Sequence, residues 1–363
     1  MKNTFGNNVS VTLFGESHGE AIGAVIDGLP AGIEVDDVFI AHCLDLRRLY
    51  GKISTPRRET DDFKFLSGVY NGKTTGTAIC VVIPNSNTAS KDYSKSYGKA
   101  RPGHADYTAF VKYNGCEDYR GGGHFSGRIT AALVAAGAIC LCALARKGIF
   151  ICTHIKKCAG VEDAAFDNYA ENYKTLINEQ FPVLDNEKGE QMIEAIEAAA
   201  KEGDSVGGVL ETAVTGIPAG VGEPWFDSVE SVLSHALFSI PAVKGVQFGV
   251  GFDCADMKGS QMNDSFCIDN GIVTTKTNNN GGINGGISNG MPVVFSCAVK
   301  PTPSISKEQS TIDFLNNENT TLCVSGRHDP CIVHRARIVV DSVTAICLCD
   351  LLSQKFGTDW LGA

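Results

Sequence analysis

Apolar and polar positions alternate in short stretches along the chain and switch to helical spacing in a few long ones. Residues 11–17 (VTLFGES) and 21–30 (AIGAVIDGLP) alternate as two strands around His18 and Gly19. From Val35 to Arg48 the apolar positions Val38, Phe39, Ala41 and Leu46 follow a helical period behind Asp36 and Asp37, acids placed as a first helical turn prefers. Residues 74–85 (TTGTAICVVIPN), 207–220, 244–252 and 291–301 are β-branched and read as further strands. Helices are predicted over about 187–201, 227–239 and 336–356. The longest apolar run, Ile129 to Ala145, carries no charge. Rich in alanine and only mildly apolar, it reads as a helix buried in a soluble core rather than a membrane span. Sheet segments on both sides of this helix predict one α+β domain over residues 1–363, with helices covered by antiparallel sheet. Residues 163–189 read as a loose polar insertion.

Composition narrows the classes. Of 363 residues 43% are hydrophobic and 20% charged, which suits a globular chain with a sizeable core. The formal net charge of -10 argues against nucleic acid or an anionic membrane as a general partner. Fourteen cysteines form no C-x-x-C pair. The pairs Cys140/Cys142 and Cys347/Cys349 fall in helical runs, where residues two apart point about 200° apart and cannot chelate a metal alone. No apolar leader precedes the first strand, so reduced, buried thiols in the cytoplasm are expected, with no metal. Glycine is in surplus, at 40 residues against an average of about 7%.

Five glycine-containing clusters collect the ionisable residues: 15–19 (GESHG), 101–106 (RPGHAD), 119–128 (YRGGGHFSGR), 281–290 (GGINGGISNG) and 326–330 (GRHDP). The first matches the G-x-S-x-G nucleophile elbow, but it lies at residue 15, before any oxyanion loop, so a serine hydrolase is not supported. Neither a P-loop nor a dinucleotide fingerprint is present. Gly121 to Gly123 run into Ser126, a good N-cap, with Arg128 in the first turn of the long helix. That arrangement suits a phosphate. Arg47, Arg48, Lys52, Arg57 and Arg58 face Asp45 alone between residues 45 and 58, a basic island suited to a multiply charged anion. His18, His104, His124 and His328 sit in glycine or proline turns and are candidates for proton transfer, whereas His42, His154, His235 and His334 read as structural.

Taken together and in order, TLFGESHG, RPGHADYT, YRGGGHFSGRITA, AVKGVQFGVGF, NGGINGGISNG and GRHDP resemble chorismate synthase over nearly the whole chain. The resemblance implies a β-α-β sandwich assembled as a homotetramer. It also implies an anti-1,4-elimination of phosphate from 5-enolpyruvylshikimate 3-phosphate to give chorismate, with reduced FMN required and no net redox change. By the same resemblance, His18 would protonate the departing phosphate and His104 would hold or protonate the flavin at N1. Asp329 would take the C6 proton by way of flavin N5. Arg47, Arg48, Lys52, Arg128 and Arg327 would hold the substrate's anionic groups. FMN would lie against His124, Phe125, Ser126, Pro241, Ala242, Gly285, Lys300, Pro301, Thr302, Pro303, Ser304 and Arg327. Reduced flavin would come from a separate reductase or from NADPH at the same site. A binder that kept the fold and lost the reaction is the competing reading. Three departures bear on the flavin and anion contacts. His124-Phe125-Ser126-Gly127-Arg128 stands where R-S-S-A-R is commoner, Pro241-Ala242-Val243-Lys244-Gly245 where N-A-V/F-K-G is, and the stretch after Asp45 is one residue short, with Lys52 for an arginine.

Overall fold

The computed structural model describes residues 2–48, 51–54, 61–86, 97–324 and 328–362, of which Lys52 is described without its side chain. One antiparallel sheet is built from β1 (Thr4–Phe5), β2 (Ser10–Gly15), β3 (Ala21–Asp27), β4 (Lys64–Ser67) and β5 (Ile79–Pro84), in the order β1-β2-β3-β5-β4. A second antiparallel sheet contains β6 (Phe150–Cys158), β7 (Val161–Glu162), β8 (Gly208–Thr215), β9 (Val243–Phe248) and β10 (Val293–Val299), in the order β9-β10-β8-β6-β7. The strand pair expected around His18 is β2–β3, in register from Ser10 opposite Asp27 to Gly15 opposite Ile22.

Helices α1 (Asp37–Leu46), α2 (Asp106–Tyr113), α3 (Thr130–Arg146), α4 (Tyr169–Leu176), α5 (Asn186–Lys201), α6 (Val229–Ser239) and α7 (Val333–Phe356) complete the frame. Asp36 caps α1, accepting from the amides of Val38 (2.9 Å) and Phe39 (3.0 Å). Helices α3 and α7 pack against each other between the sheets: α3 covers β3 and β5, and α7 covers β6 and β8. This is the expected α+β sandwich with enclosed helices. Among the described residues one helix is long and apolar enough to cross a membrane, and 83% of its apolar window is buried inside the protein. The polar stretch 163–189 is not loose throughout: it holds α4, capped by Asn168, and the start of α5, capped by Asp185.

The crossing of α3 over α7 depends on one glycine. A Cβ at Gly137 would stand 2.3 Å from Cβ and 2.6 Å from Cα of Ser342. Two helices so largely buried cannot separate locally without opening voids elsewhere. Gly137→Ala is therefore expected to destabilise the chain by about 1–3 kcal/mol, as overpacking does. Urea unfolding checks this, and an unchanged midpoint would refute the close crossing. Cysteines fill part of the same core: Cys140, Cys297, Cys347 and Cys349 are fully buried, and burial pushes the Cys297 thiol up to about 12. The expectation of buried thiols holds for eight of the fourteen; Cys80, Cys142 and Cys267 are half-buried, and Cys116, Cys254 and Cys323 lie exposed in turns and surface segments.

On the second sheet, buried His154 lies 2.7 Å from Asp163 through Nδ1 and 3.3 Å from Glu211 through Nε2, and Glu211 also meets Lys156. Desolvation lowers the imidazole's affinity for a proton, but the two carboxylates outweigh it and the net shift is upward. A raised folded-state pKa stabilises fully below the unfolded value of about 6.5 and the effect disappears as pH rises through the folded value. The stability difference between the wild type and His154→Phe should shrink as pH rises from about 6 into the alkaline range. Chemical unfolding at stepped pH measures it, and a constant difference would contradict the shift.

Candidate active site

A cavity of about 2960 Å³ opens beside the first sheet and collects four of the five glycine clusters. His18, His104, His124 and His328 all line it. The triple glycine organises this wall. Gly121, Gly122 and Gly123 adopt φ of 62°, 88° and 53°, so the backbone turns back on itself where any other residue would be strained. A Cβ at Gly121 would stand 2.2 Å from Nδ1 of His18, and one at Gly122 would stand 3.3 Å from Nε2 of His104. The turn thus lays bare backbone against both imidazoles. The Ser17 amide donates to the Gly123 carbonyl (3.1 Å), and His124 Nδ1 donates to the Gly15 carbonyl (2.8 Å), closing the 15–19 cluster onto the 119–128 cluster. His124 is therefore first a tie between two turns, which gives the histidine at this departure a structural task.

Ser126 caps the helical segment leading into α3, its Oγ accepting from the Arg128 amide at 3.3 Å. Arg128 itself is not an open anion clamp. Its side chain is buried and ion-paired with Asp61, and its Nε donates to Asn85 Oδ1 at 3.1 Å. Arg47 approaches the other oxygen of Asp61 at 3.6 Å. Asp61 thus joins two guanidiniums inside the wall and leaves that group with a net positive charge, which desolvation makes effective toward an anion. Arg48 lines the cavity more openly and meets Asp45 at 2.5 Å. Lys52's side chain and all of Arg57, Arg58 and Arg327 lie outside the described residues.

The 101–106 turn holds His104 in a compact network. Arg101 grips Asp106 with Nε (2.8 Å), Nη2 (2.7 Å) and its own amide (2.9 Å). His104 Nδ1 lies 2.8 Å from Asp106 Oδ1 and 3.1 Å from Arg101 Nη2. Burial would push the Asp106 carboxyl up, but the bonds and charges of Arg101 and His104 prevail and hold it well below the usual carboxylate range. Lys300 Nζ donates to the Gly103 carbonyl, and the Lys300 amide donates to the Ala242 carbonyl (2.9 Å), so Pro241, Ala242, Lys300, Thr302, Pro303 and Ser304 join the same wall. On the far side Arg335, in the first turn of α7, is paired with Asp329 and donates from Nε to the Arg47 carbonyl at 2.8 Å. The His328 imidazole is shifted downward by burial and by the Arg101 charge, both of which disfavour its charged form.

Two residues expected here lie elsewhere. Gly285 sits exposed in the hairpin turn between Ile283–Asn284 and Ile287–Ser288, away from the cavity lining, and Pro301 is exposed beside lining residues Lys300 and Thr302. The 281–290 glycines serve packing: Gly281 abuts the Gly249 amide, and Gly286 abuts Ser228 and the Glu223 carbonyl. The glycine surplus is therefore not concentrated at a ligand, because positive-φ turns are spread over the whole chain. Asp61, Asn85 and Arg335 were missed by sequence reasoning. His235, read as structural, also lines the cavity, packed edge-on against Phe5 with ring centroids 5.2 Å apart.

The comparisons bear directly on this arrangement. The family model for chorismate synthase matches residues 9–352, from β2 to the penultimate turns of α7. The chain belongs to the chorismate synthase family. The chorismate synthase of Dehalococcoides mccartyi is 46% identical over 97% of this chain and 96% of its own length. That of Thermococcus kodakarensis is 44% identical over 96% and 97%. A crystal structure of chorismate synthase superposes with a TM-score of 0.76 at 28% identity, covering 97% of this chain and 94% of the other. The chain is thus an enzyme of the chorismate-forming step, a lyase of the shikimate pathway, built on the chorismate synthase fold.

Proposed function

We propose that the cavity catalyses the anti-1,4-elimination of phosphate from 5-enolpyruvylshikimate 3-phosphate, with residues 1–363 acting as one domain and reduced FMN as cofactor. The observation that carries this reading is the gathering of His18, His104 and Asp329 with the Arg47–Asp61–Arg128 group around one cavity. The substrate carries two carboxylates and a phosphate, and this wall supplies buried positive charge for them. His18 donates a proton to the departing phosphate as the C3–O bond breaks. The C6–H bond releases its proton toward the Asp329 carboxylate, held in place by Arg335. Its electron pair forms a C6–C1 double bond, the existing C1–C2 double bond shifts to C2–C3, and the C3–O pair leaves with the phosphate. General acid–base groups near neutrality fit imidazole and carboxylate.

The wall also suits a flavin phosphate and ring. Thr302 Oγ and His328 Nε2 are buried and have no hydrogen-bond partner among the described residues, and Lys300, Ser304, Phe125 and Ser126 stand in the same lining. Reduced flavin, when bound, supplies transient electron density that weakens the allylic C–O bond without net redox change. Lys300, Thr302, Pro303, Ser304, Ala242 and the 124–126 turn would hold it, with Arg327 assigned to it by family resemblance. Gly285 and Pro301 remain assigned to it by family resemblance alone.

A homotetramer is supported by apolar surface: Trp225 is 83% exposed, Phe226 90% and Phe252 81%, and the hairpin Phe266–Asp269/Ile272–Thr275 exposes Phe266, Ile268, Ile272 and Val273. Light scattering after gel filtration tests it, and a stable monomer would refute it. We place the protein in the cytoplasm. The deciding assay is anaerobic phosphate release from the enolpyruvyl substrate with dithionite-reduced FMN. Turnover under those conditions and none without flavin are expected; equal turnover without flavin would overturn the reading, and no turnover would favour a binder that lost the reaction. Oxidised FMN with NADPH in place of dithionite tells self-reduction from dependence on a separate reductase.

A further inference from the structure

We infer that Asp106, itself clamped by Arg101, is a positioning residue that fixes the tautomer of His104 so that protons pass through Nε2. The inference rests on the acid–base part assigned to His104 above. Two groups compete for Nδ1. Arg101 Nη2, at 3.1 Å, can only donate, so by itself it would require a bare Nδ1 and put the ring's proton on Nε2. Asp106 Oδ1, at 2.8 Å, can only accept when ionised, so it requires a protonated Nδ1. The ionised carboxylate is the closer partner, at 2.8 Å against 3.1 Å, and Arg101 Nη2 makes its own shorter bond to that carboxylate, at 2.7 Å, rather than to the imidazole. The competition is therefore settled for Nδ1–H, leaving Nε2 as the basic atom of the neutral ring and the acidic one of the imidazolium.

Position agrees with this. Nε2 is the ring nitrogen turned toward Gly122, whose missing Cβ would stand 3.3 Å from it, and both residues line the cavity. Asp106 lines the same cavity, but it opens α2 and its carboxylate is engaged by Arg101 and His104, so it acts on the chemistry through its bond to the imidazole. The arrangement is an acid–imidazole dyad in which the carboxylate orients the ring rather than taking its proton.

The test uses the full chain labelled with ¹⁵N-histidine, with His104 signals identified by their loss in His104→Gln. At about pH 8.5, where an ordinary imidazole is neutral, wild type is expected to show a protonated Nδ1 and a bare Nε2. Asp106→Ala leaves Arg101 as the donor facing Nδ1 and should reverse the two signals. Its kcat should fall about 10²-fold, the scale of one general acid–base group, with KM nearly unchanged. Asp106→Glu should recover part of both. An unchanged tautomer in Asp106→Ala, whether or not kcat falls, overturns the inference and leaves Asp106 a structural residue of the turn. Reversal of the tautomer with kcat preserved upholds the positioning of His104 while refuting its part in catalysis, so the two failures are told apart.

Discussion

His18→Ala is expected to lower turnover by about 10²- to 10⁴-fold while the protein stays folded. His18 is only 6% exposed and sits in the β2–β3 turn beneath Gly121, so it addresses the cavity from a fixed place rather than from a mobile loop. A departing phosphate needs a proton or an equivalent positive charge as the C–O bond breaks. The nearby guanidiniums Arg47 and Arg128 supply charge but are shared with Asp61 and have no proton to give near neutrality. Losing the imidazole therefore removes the donor and leaves the anion site standing, so kcat should fall much more than substrate affinity. The measurement is steady-state phosphate release with reduced FMN, alongside circular dichroism and the oligomeric state. A folded His18→Ala protein turning over at nearly the wild-type rate would remove His18 from the mechanism.

Gly121→Ala should imitate that loss without touching a titratable group. The added Cβ would fall 2.1 Å from Cε1 and 2.2 Å from Nδ1 of His18, far inside contact distance, and φ at this position is 62°. The left-handed conformation alone costs about 1–2 kcal/mol for a residue with a Cβ. The collision must be relieved as well. Relief means displacing the His18 ring, because the 119–128 backbone is itself pinned by the Ser17–Gly123 and His124–Gly15 hydrogen bonds. The variant should unfold at modestly lower denaturant and lose activity on the scale of His18→Ala, and the double variant should be no worse in activity than either single one, since both act through one imidazole. Independent, multiplicative losses would show that Gly121 acts on something other than His18.

Legibility in the sequence followed the range of the forces involved. The β2–β3 pair, the α3 and α7 helices and the cap at Ser126 could be read directly, because alternation, apolar period and a local side-chain-to-amide bond are properties of neighbouring residues. Strand β6 and helix α2 were passed over: β6 is buried along most of its length and mixes lysine, histidine and cysteine, and α2 is a short helix with one buried residue. Among site residues, the four turn histidines stood out through the glycines around them. Asp61 and Arg335 carried no such mark. Asp61 follows a basic stretch and looks like any surface acid, yet it lies buried between Arg47 and Arg128.

By itself the sequence determined the family, the alternation of sheet and helix and the residue types available for proton transfer and anion binding, since these reside in local pattern and ordered motifs. The tertiary structure alone decided their partnerships. Arg128 became one half of a buried ion-pair group, His124 a tie to the Gly15 carbonyl, and the 281–290 glycines packing elements rather than cavity wall. The reason is physical: burial and charge pairing depend on which distant segments meet, and a carboxylate or a glycine gives no sign along the chain of what the fold will bring against it.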